Sequence, residues 1–146
     1  MRGGSFLDSN ILVYTDDRAD PAKQKATIAL VARLTRAQSA VVSFQVLQEY
    51  FAIVTRKLGV DAAVARAKVE LFGALTTATT EVDDVLAAID LHRLHQLSFW
   101  DALIVRSAIK SGCRRIYTED LQHGRRYDGV EIVNPFSSSG AVERRR

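Results

Sequence analysis

The sequence predicts an α/β sandwich around a small, mostly parallel sheet. Three observations lead there. Short apolar runs, at Phe6-Leu7, Ala40-Val41-Val42, Ile116-Tyr117 and Val130 to Val133, alternate with longer stretches of helical periodicity. The helical stretches begin on strong caps and two of them close on glycine. No internal repeat, low-complexity block or linker divides the chain, so its 146 residues are expected to form one domain, with a loosely ordered tail over about 137–146.

FLDSNILVY, from Phe6 to Tyr14, begins as a strand. Ser9-Asn10 interrupts it, and Ile11 to Tyr14 coils into a first helical turn. Asp20-Pro21 starts the next helix, with an acidic cap and proline at the first helical position. Ile28, Val31 and Leu34 are its expected core face, and it runs to about Gln38. After the Ala40-Val41-Val42 strand, Ser43 caps a helix that Gly59 ends. Its apolar stripe is Val46, Tyr50, Ile53 and Val54, and Glu49 falls on that stripe.

Asp61 caps a helix to about Gly73, with Val64, Val69, Leu71 and Phe72 as its apolar residues. Leu75 to Thr80 reads as a short strand. Thr80-Glu81-Val82-Asp83 opens a helix to about His95, carried by Val82, Leu86 and Ile89. Ser98 starts the last helix, SFWDALIVRSAIKSG, closed by Gly112. A strand through Thr118, a loop over Glu119 to Gly124 and a final strand at Val130 to Val133 complete the order.

Composition excludes several classes. Hydrophobic residues are 47% and charged residues 25%, as in globular rather than disordered proteins. No apolar run approaches the roughly 20 residues that span a bilayer. Met1-Arg-Gly-Gly lacks a signal-peptide core, and the single Cys113 excludes an internal disulfide, so the cytoplasm is the expected location. The formal charge is +3, but without Arg144, Arg145 and Arg146 the count is 17 basic against 17 acidic residues. A polyanion would therefore be met by local clustering, with Arg56, Lys57, Arg106, Lys110, Arg125 and Arg126 as unranked candidates.

The carboxylates carry the chemistry. Asp8 stands at the end of a buried strand, and Glu119-Asp120 stand just past another. Sites in open parallel sheets form at such carboxyl ends. Asp101 lies in the first turn of its helix and Glu49 in the second turn of its own, and both helices begin near strand ends. Acids gathered there would repel and take up protons unless a hard cation joined them. The reading is therefore a divalent metal site. Each residue also has a plainer account. Asp101 fits a capping-box start at Ser98-x-x-Asp101, Glu49 fits a helix rim, Asp8 fits a turn cap, and Glu119 and Asp120 fit an ordinary acidic loop.

Other chemistries have less support. His92 and His95 are three apart with no H-E-x-x-H spacing, and no G-x-S-x-G or Gly-rich phosphate loop is present. Cys113 has no histidine placed to activate it. Trp100, beside Asp101, is expected in the core, with a substrate groove as the alternative.

FLDSNILVY, the glutamate of SFQVLQEYFAIVTRK, the aspartate of LSFWDALIV, YTEDLQHG and the closing VEIVNPF follow one another in a familiar order. From Phe6 to Phe136 the chain resembles the PIN-domain family, and within it the VapC-type toxins of toxin–antitoxin pairs. The resemblance implies an α/β/α sandwich and a Mg²⁺- or Mn²⁺-dependent endoribonuclease with a cognate antitoxin. It also implies homodimerisation. It makes Asp8 and Asp101 metal ligands, Glu49 the acid of the second helix, and Asp120 the fourth acid, with Glu119 as a neighbour that leaves the choice open. Ser9, Asn10 and Thr118 would orient carboxylates or bound water. A PIN nuclease of RNA maturation and a non-catalytic PIN-like binding module are the alternatives.

Overall fold

The computed structural model describes residues 3–137; the tail beyond Ser137, expected to be loosely ordered, lies outside them. Its centre is a six-stranded sheet of order β3-β2-β1-β4-β6-β5. The strands are β1 Gly4–Leu7, β2 Ala40–Ser43, β3 Thr76–Ala78, β4 Cys113–Tyr117, β5 Arg126–Tyr127 and β6 Val130–Val133. Every pairing is parallel except β5 with β6. The neighbouring strands β1 and β2 are buried at every residue, as strands covered on both faces must be.

The helices are α1 Ser9–Tyr14, α2 Pro21–Arg36, α3 Phe44–Lys57, α4 Ala62–Gly73, α5 Val82–His95 and α6 Phe99–Lys110. The chain steps from β1 to β2 to β3 in one direction along the sheet, then returns past β1 to β4. Right-handed crossovers put the helices of opposite steps on opposite faces. The packing follows: α1 touches α2 and α3, α3 touches α4, and α5 packs on α6. Gly59 and Gly112 end α3 and α6 at φ +67° and +70°, a backbone that side chains disfavour.

Three helices turn a different face inward than their periodicity suggests. In α2 the buried residues are Thr27, Leu30 and Leu34, and Ile28 is exposed. In α4 they are Ala65 and Phe72, with Val64 and Leu71 in solvent. In α5 they are Asp84, Ala88 and Leu91, while Val82, Leu86 and Ile89 are exposed. The two α5 stripes share the same spacing and differ by two residues, about 200° around the helix. Asp84 decides between them. Its carboxylate meets Arg106 Nε at 3.0 Å and Lys110 Nζ at 2.6 Å on α6. It also accepts the Glu81 N–H in a reciprocal capping box. Ala88, on the same face, allows close approach of α6. An apolar stripe cannot outbid a buried carboxylate whose partners sit on the neighbouring helix.

Candidate active site

Strand order reverses between β1 and β4, and the carboxyl ends of those strands flank that switch point. Asp8 immediately follows β1. It N-caps α1, its Oδ1 accepting the Ser9 N–H at 2.7 Å. Its own N–H continues the ladder to the Tyr117 carbonyl at 3.1 Å, which fixes its height on the sheet. Thr118, fully buried past β4, donates its hydroxyl to Asp8 Oδ2 at 2.8 Å.

Asn10 joins the two strand ends. Its Nδ2 donates to Asp120 Oδ2 at 3.0 Å, to Thr118 Oγ1 at 3.1 Å and to Asp8 Oδ2 at 3.4 Å. Its Oδ1 accepts the Glu119 N–H. The Asp120 N–H bonds Thr118 Oγ1, so one amide and one hydroxyl orient both aspartates.

The two neighbouring acids of the loop are treated differently. Glu119 is held by Lys23 Nζ at 3.0 Å and by the Tyr14 hydroxyl. Lys23 also lies 4.8 Å above the Tyr14 and Phe136 rings. Asp120 has no cation within ion-pair distance among the described residues, and its carboxylate shares Asn10 with Asp8. Glu119 is thus spent on holding the loop, and Asp120 remains open.

Glu49 and Asp101 come from α3 and α6. Ser43 ends β2 and caps α3, which carries Glu49 in its second turn. Gln45, one turn earlier, donates Nε2 to Glu49 Oε2 at 3.4 Å and to the Trp100 carbonyl at 3.2 Å. Gln45 was not singled out from sequence, although its i, i+4 spacing to Glu49 was the available signal. Ser98 caps α6 by accepting the Asp101 N–H at 3.1 Å. The return bond from the Asp101 carboxylate to the Ser98 N–H, which would complete a capping box, is absent among the described residues. Trp100 stands 61% exposed rather than in the core.

Electrostatics couple the four. Burial raises the Asp8 carboxyl to about 7, opposed by the Thr118 and Ser9 hydrogen bonds and reinforced by the charges of Asp120 and Glu49. Burial also raises Asp101, opposed by the Ser98 hydroxyl and reinforced by Asp120. No described lysine or arginine pairs with any of these four acids. Among the described residues, no three His, Cys, Asp or Glu side chains close on one point to cage an ion. The donors are all carboxylate oxygens, two of them joined by one amide. That chemistry fits Mg²⁺ or Mn²⁺, which binds through one or two carboxylates and keeps several waters.

Of the basic residues considered for a polyanion, Arg106 and Lys110 are consumed by Asp84, and Arg126 lies 3.7 Å from Glu131. Arg125 covers the Tyr127 ring. Arg56 and Lys57 are exposed in the last turn of α3. Burial raises the Cys113 thiol to about 11, which leaves it inert as a nucleophile.

The PIN domain family model matches residues 5–129. The chain belongs to the PIN-domain family. No curated protein matches it. Among solved structures, the PIN fold is shared with VapC20 of Mycobacterium tuberculosis, a toxin that cleaves the sarcin–ricin loop. The TM-score is 0.67 at 24% identity, over 80% of this chain and 90% of that one. A toxin–antitoxin complex from Klebsiella pneumoniae matches with a TM-score of 0.66 at 16% identity, over 91% and 98% of the two chains. VapBC2 of Rickettsia felis, bound to a DNA fragment from its promoter, matches with a TM-score of 0.62 at 17% identity, over 88% and 96%. The PIN fold thus accounts for the parallel sheet. Among the described residues, no helix is long and apolar enough to cross a membrane.

Proposed function

We propose that this PIN protein is a Mg²⁺- or Mn²⁺-dependent endoribonuclease, the toxin of a VapBC-type pair acting in the cytoplasm. One observation carries the reading: Asp8, a carboxylate 4% exposed, faces the charges of Asp120 and Glu49 and pairs with no lysine or arginine among the described residues. A chain avoids an uncompensated buried carboxylate unless something outside the chain compensates it.

Asp8, Asp101 and Asp120 would hold the cation, one or two of them directly and the rest through its waters, with Glu49 completing the charge. When bound, the cation supplies Lewis acidity, neutralising charge on the phosphate and acidifying a water. The chain's own residues do the rest. The Ser9 N–H and the Thr118 hydroxyl orient Asp8. Asn10 keeps Asp120 aimed at the same space. Glu49, which accepts from Gln45 Nε2, would help hold the cation or orient the attacking water. Below about pH 7 Asp8 retains its proton, and deprotonation prepares it to bind metal.

The substrate class is an exposed RNA loop, whose bases can be splayed from their stack. The sarcin–ricin loop named for VapC20 is a target of that kind. The protein partners are an antitoxin and a second copy of the chain. Exposed Val64 and Leu71 on α4, and the apolar groove of Leu47, Phe51 and Val69 between α3 and α4, support such contacts.

The test is cleavage of a structured RNA by purified protein with Mg²⁺ or Mn²⁺. Cleavage is expected to stop in chelator and return with added Mn²⁺. Cleavage that persists in chelator, or that a folded Asp8→Asn protein performs undiminished, would contradict the reading.

A further inference from the structure

We propose that Trp100 is a stacking platform for an unpaired nucleobase of the RNA, with Gln45 as the positioning residue that ties it to the acids. This rests on the nuclease reading and names how substrate is held beside the site.

Trp100 directly precedes Asp101 in the first turn of α6, and 61% of it faces solvent. An indole is the largest apolar side chain to leave in water. It has one ring neighbour and one backbone tether. The Phe99 ring meets it edge-on at 5.1 Å. Its carbonyl accepts Gln45 Nε2, and the same nitrogen reaches Glu49 Oε2. Residue 100 therefore has Asp101 beside it in sequence, and its backbone carbonyl is joined to Glu49 through the Gln45 amide.

The tether carries a penalty. Gln45 Oε1 is buried with no hydrogen-bond partner, and among buried side-chain polar atoms of the described residues it alone is unsatisfied. Turning the amide over would set Oε1 against a carboxylate and a carbonyl, so the nitrogen must face Glu49 and Trp100. The amide thus sacrifices its acceptor to keep α3 and α6 joined at this point. Phe44, the residue before Gln45, is also exposed.

A nucleotide carries its phosphate and its base a few bonds apart. With a scissile phosphate at the acids, a neighbouring base falls within reach of an aromatic face next to them. Base–aromatic stacking is sequence-tolerant, because every base has a π-face, and it requires an unpaired base. Paired RNA would not offer one.

The sequence contains one tryptophan, so intrinsic fluorescence reports on position 100 alone. A dye-labelled single-stranded oligoribonucleotide is mixed with wild-type protein and Mg²⁺ in a stopped-flow fluorimeter. Indole emission and dye anisotropy are read before turnover. Saturable quenching of the indole is expected, and it should largely vanish with an oligomer of equal length made abasic. In cleavage assays Trp100→Ala is expected to raise KM about tenfold or more with a much smaller change in kcat, and Trp100→Phe to restore most of the loss. An RNA that binds by anisotropy and is cleaved while indole emission and the KM of Trp100→Ala stay unchanged overturns the stacking role and leaves the nuclease reading intact. An RNA that neither binds nor is cleaved overturns both.

Discussion

Asp8 and Asp84 are two buried aspartates in one chain, each 4% exposed and each at the start of a helix. Each accepts a backbone N–H, from Ser9 and from Glu81. They differ in what faces them. Asp84 meets Lys110 and Arg106, and these bonds with the Glu81 N–H hold its carboxyl at about 2. Asp8 meets only neutral donors and other acids, and burial lifts it to about 7. The first supplies its counter-charge from within the fold. The second sits at the sheet's switch point with no cation paired to it among the described residues. A buried acid marks a cation site when its own protein leaves it unpaired, and burial alone does not distinguish the two cases.

The comparison breaks first on activity. Asp8→Asn should lower RNA cleavage roughly 10³-fold, the several kcal/mol expected when a metal-assisted step loses a ligand. The same change should leave the metal-free fold no less stable in urea, since it removes an unfavourable buried charge. Asp84→Asn should do the reverse. It strands Arg106 and Lys110 and should cost about 2–3 kcal/mol in urea unfolding, moderated because both cations reach solvent. Cleavage per folded molecule should stay near wild type.

The two acids should also impose opposite pH slopes. Asp8 binds its proton more tightly when folded, so metal-free stability should fall as pH rises from about 4 through 7. The fall should be up to about 4 kcal/mol, and Asp8→Asn should abolish it. Asp84 binds its proton less tightly when folded. Its contribution is complete above about pH 4 and is lost as pH falls toward 2, a loss that Asp84→Asn should remove. Urea unfolding across pH 3 to 8 for the three proteins reads both slopes. The smallest effect belongs to Glu119, whose pair with Lys23 is partly exposed. Glu119→Gln should cost under about 1 kcal/mol in urea unfolding.

These particular residues mark how far the sequence could be read. Asp8 and the Glu119-Asp120 pair were legible as acids at strand ends because strand ends are set by short apolar runs, and sites in parallel sheets gather there, whereas Thr118 came only with the PIN resemblance. The helix starts at Asp20-Pro21, Ser43 and Ser98 were visible because capping is local chemistry. The roll of α5 was not, since Val82-Leu86-Ile89 and Asp84-Ala88-Leu91 have the same period and only the long-range pair with α6 chooses. Trp100 was misplaced for a related reason. Apolarity favours burial, but Ala102, Leu103, Ile104 and Val105 already fill the α6 side of the core. What sets Glu119 apart from Asp120 is its pair with Lys23, 96 residues away. Side-chain partners distant in sequence are what a single chain hides.

The central claim is that Asp8 lacks a counter-ion which a divalent cation supplies. The direct measurement is the thermal unfolding midpoint at pH 8, above the range where Asp8 holds its proton, as Mn²⁺ is titrated into chelator-stripped wild-type and Asp8→Asn proteins. The account expects the wild-type midpoint to rise by several degrees at saturating Mn²⁺ and the Asp8→Asn midpoint to stay nearly still. An unmoved wild-type midpoint, or an equal rise in both proteins, would contradict it.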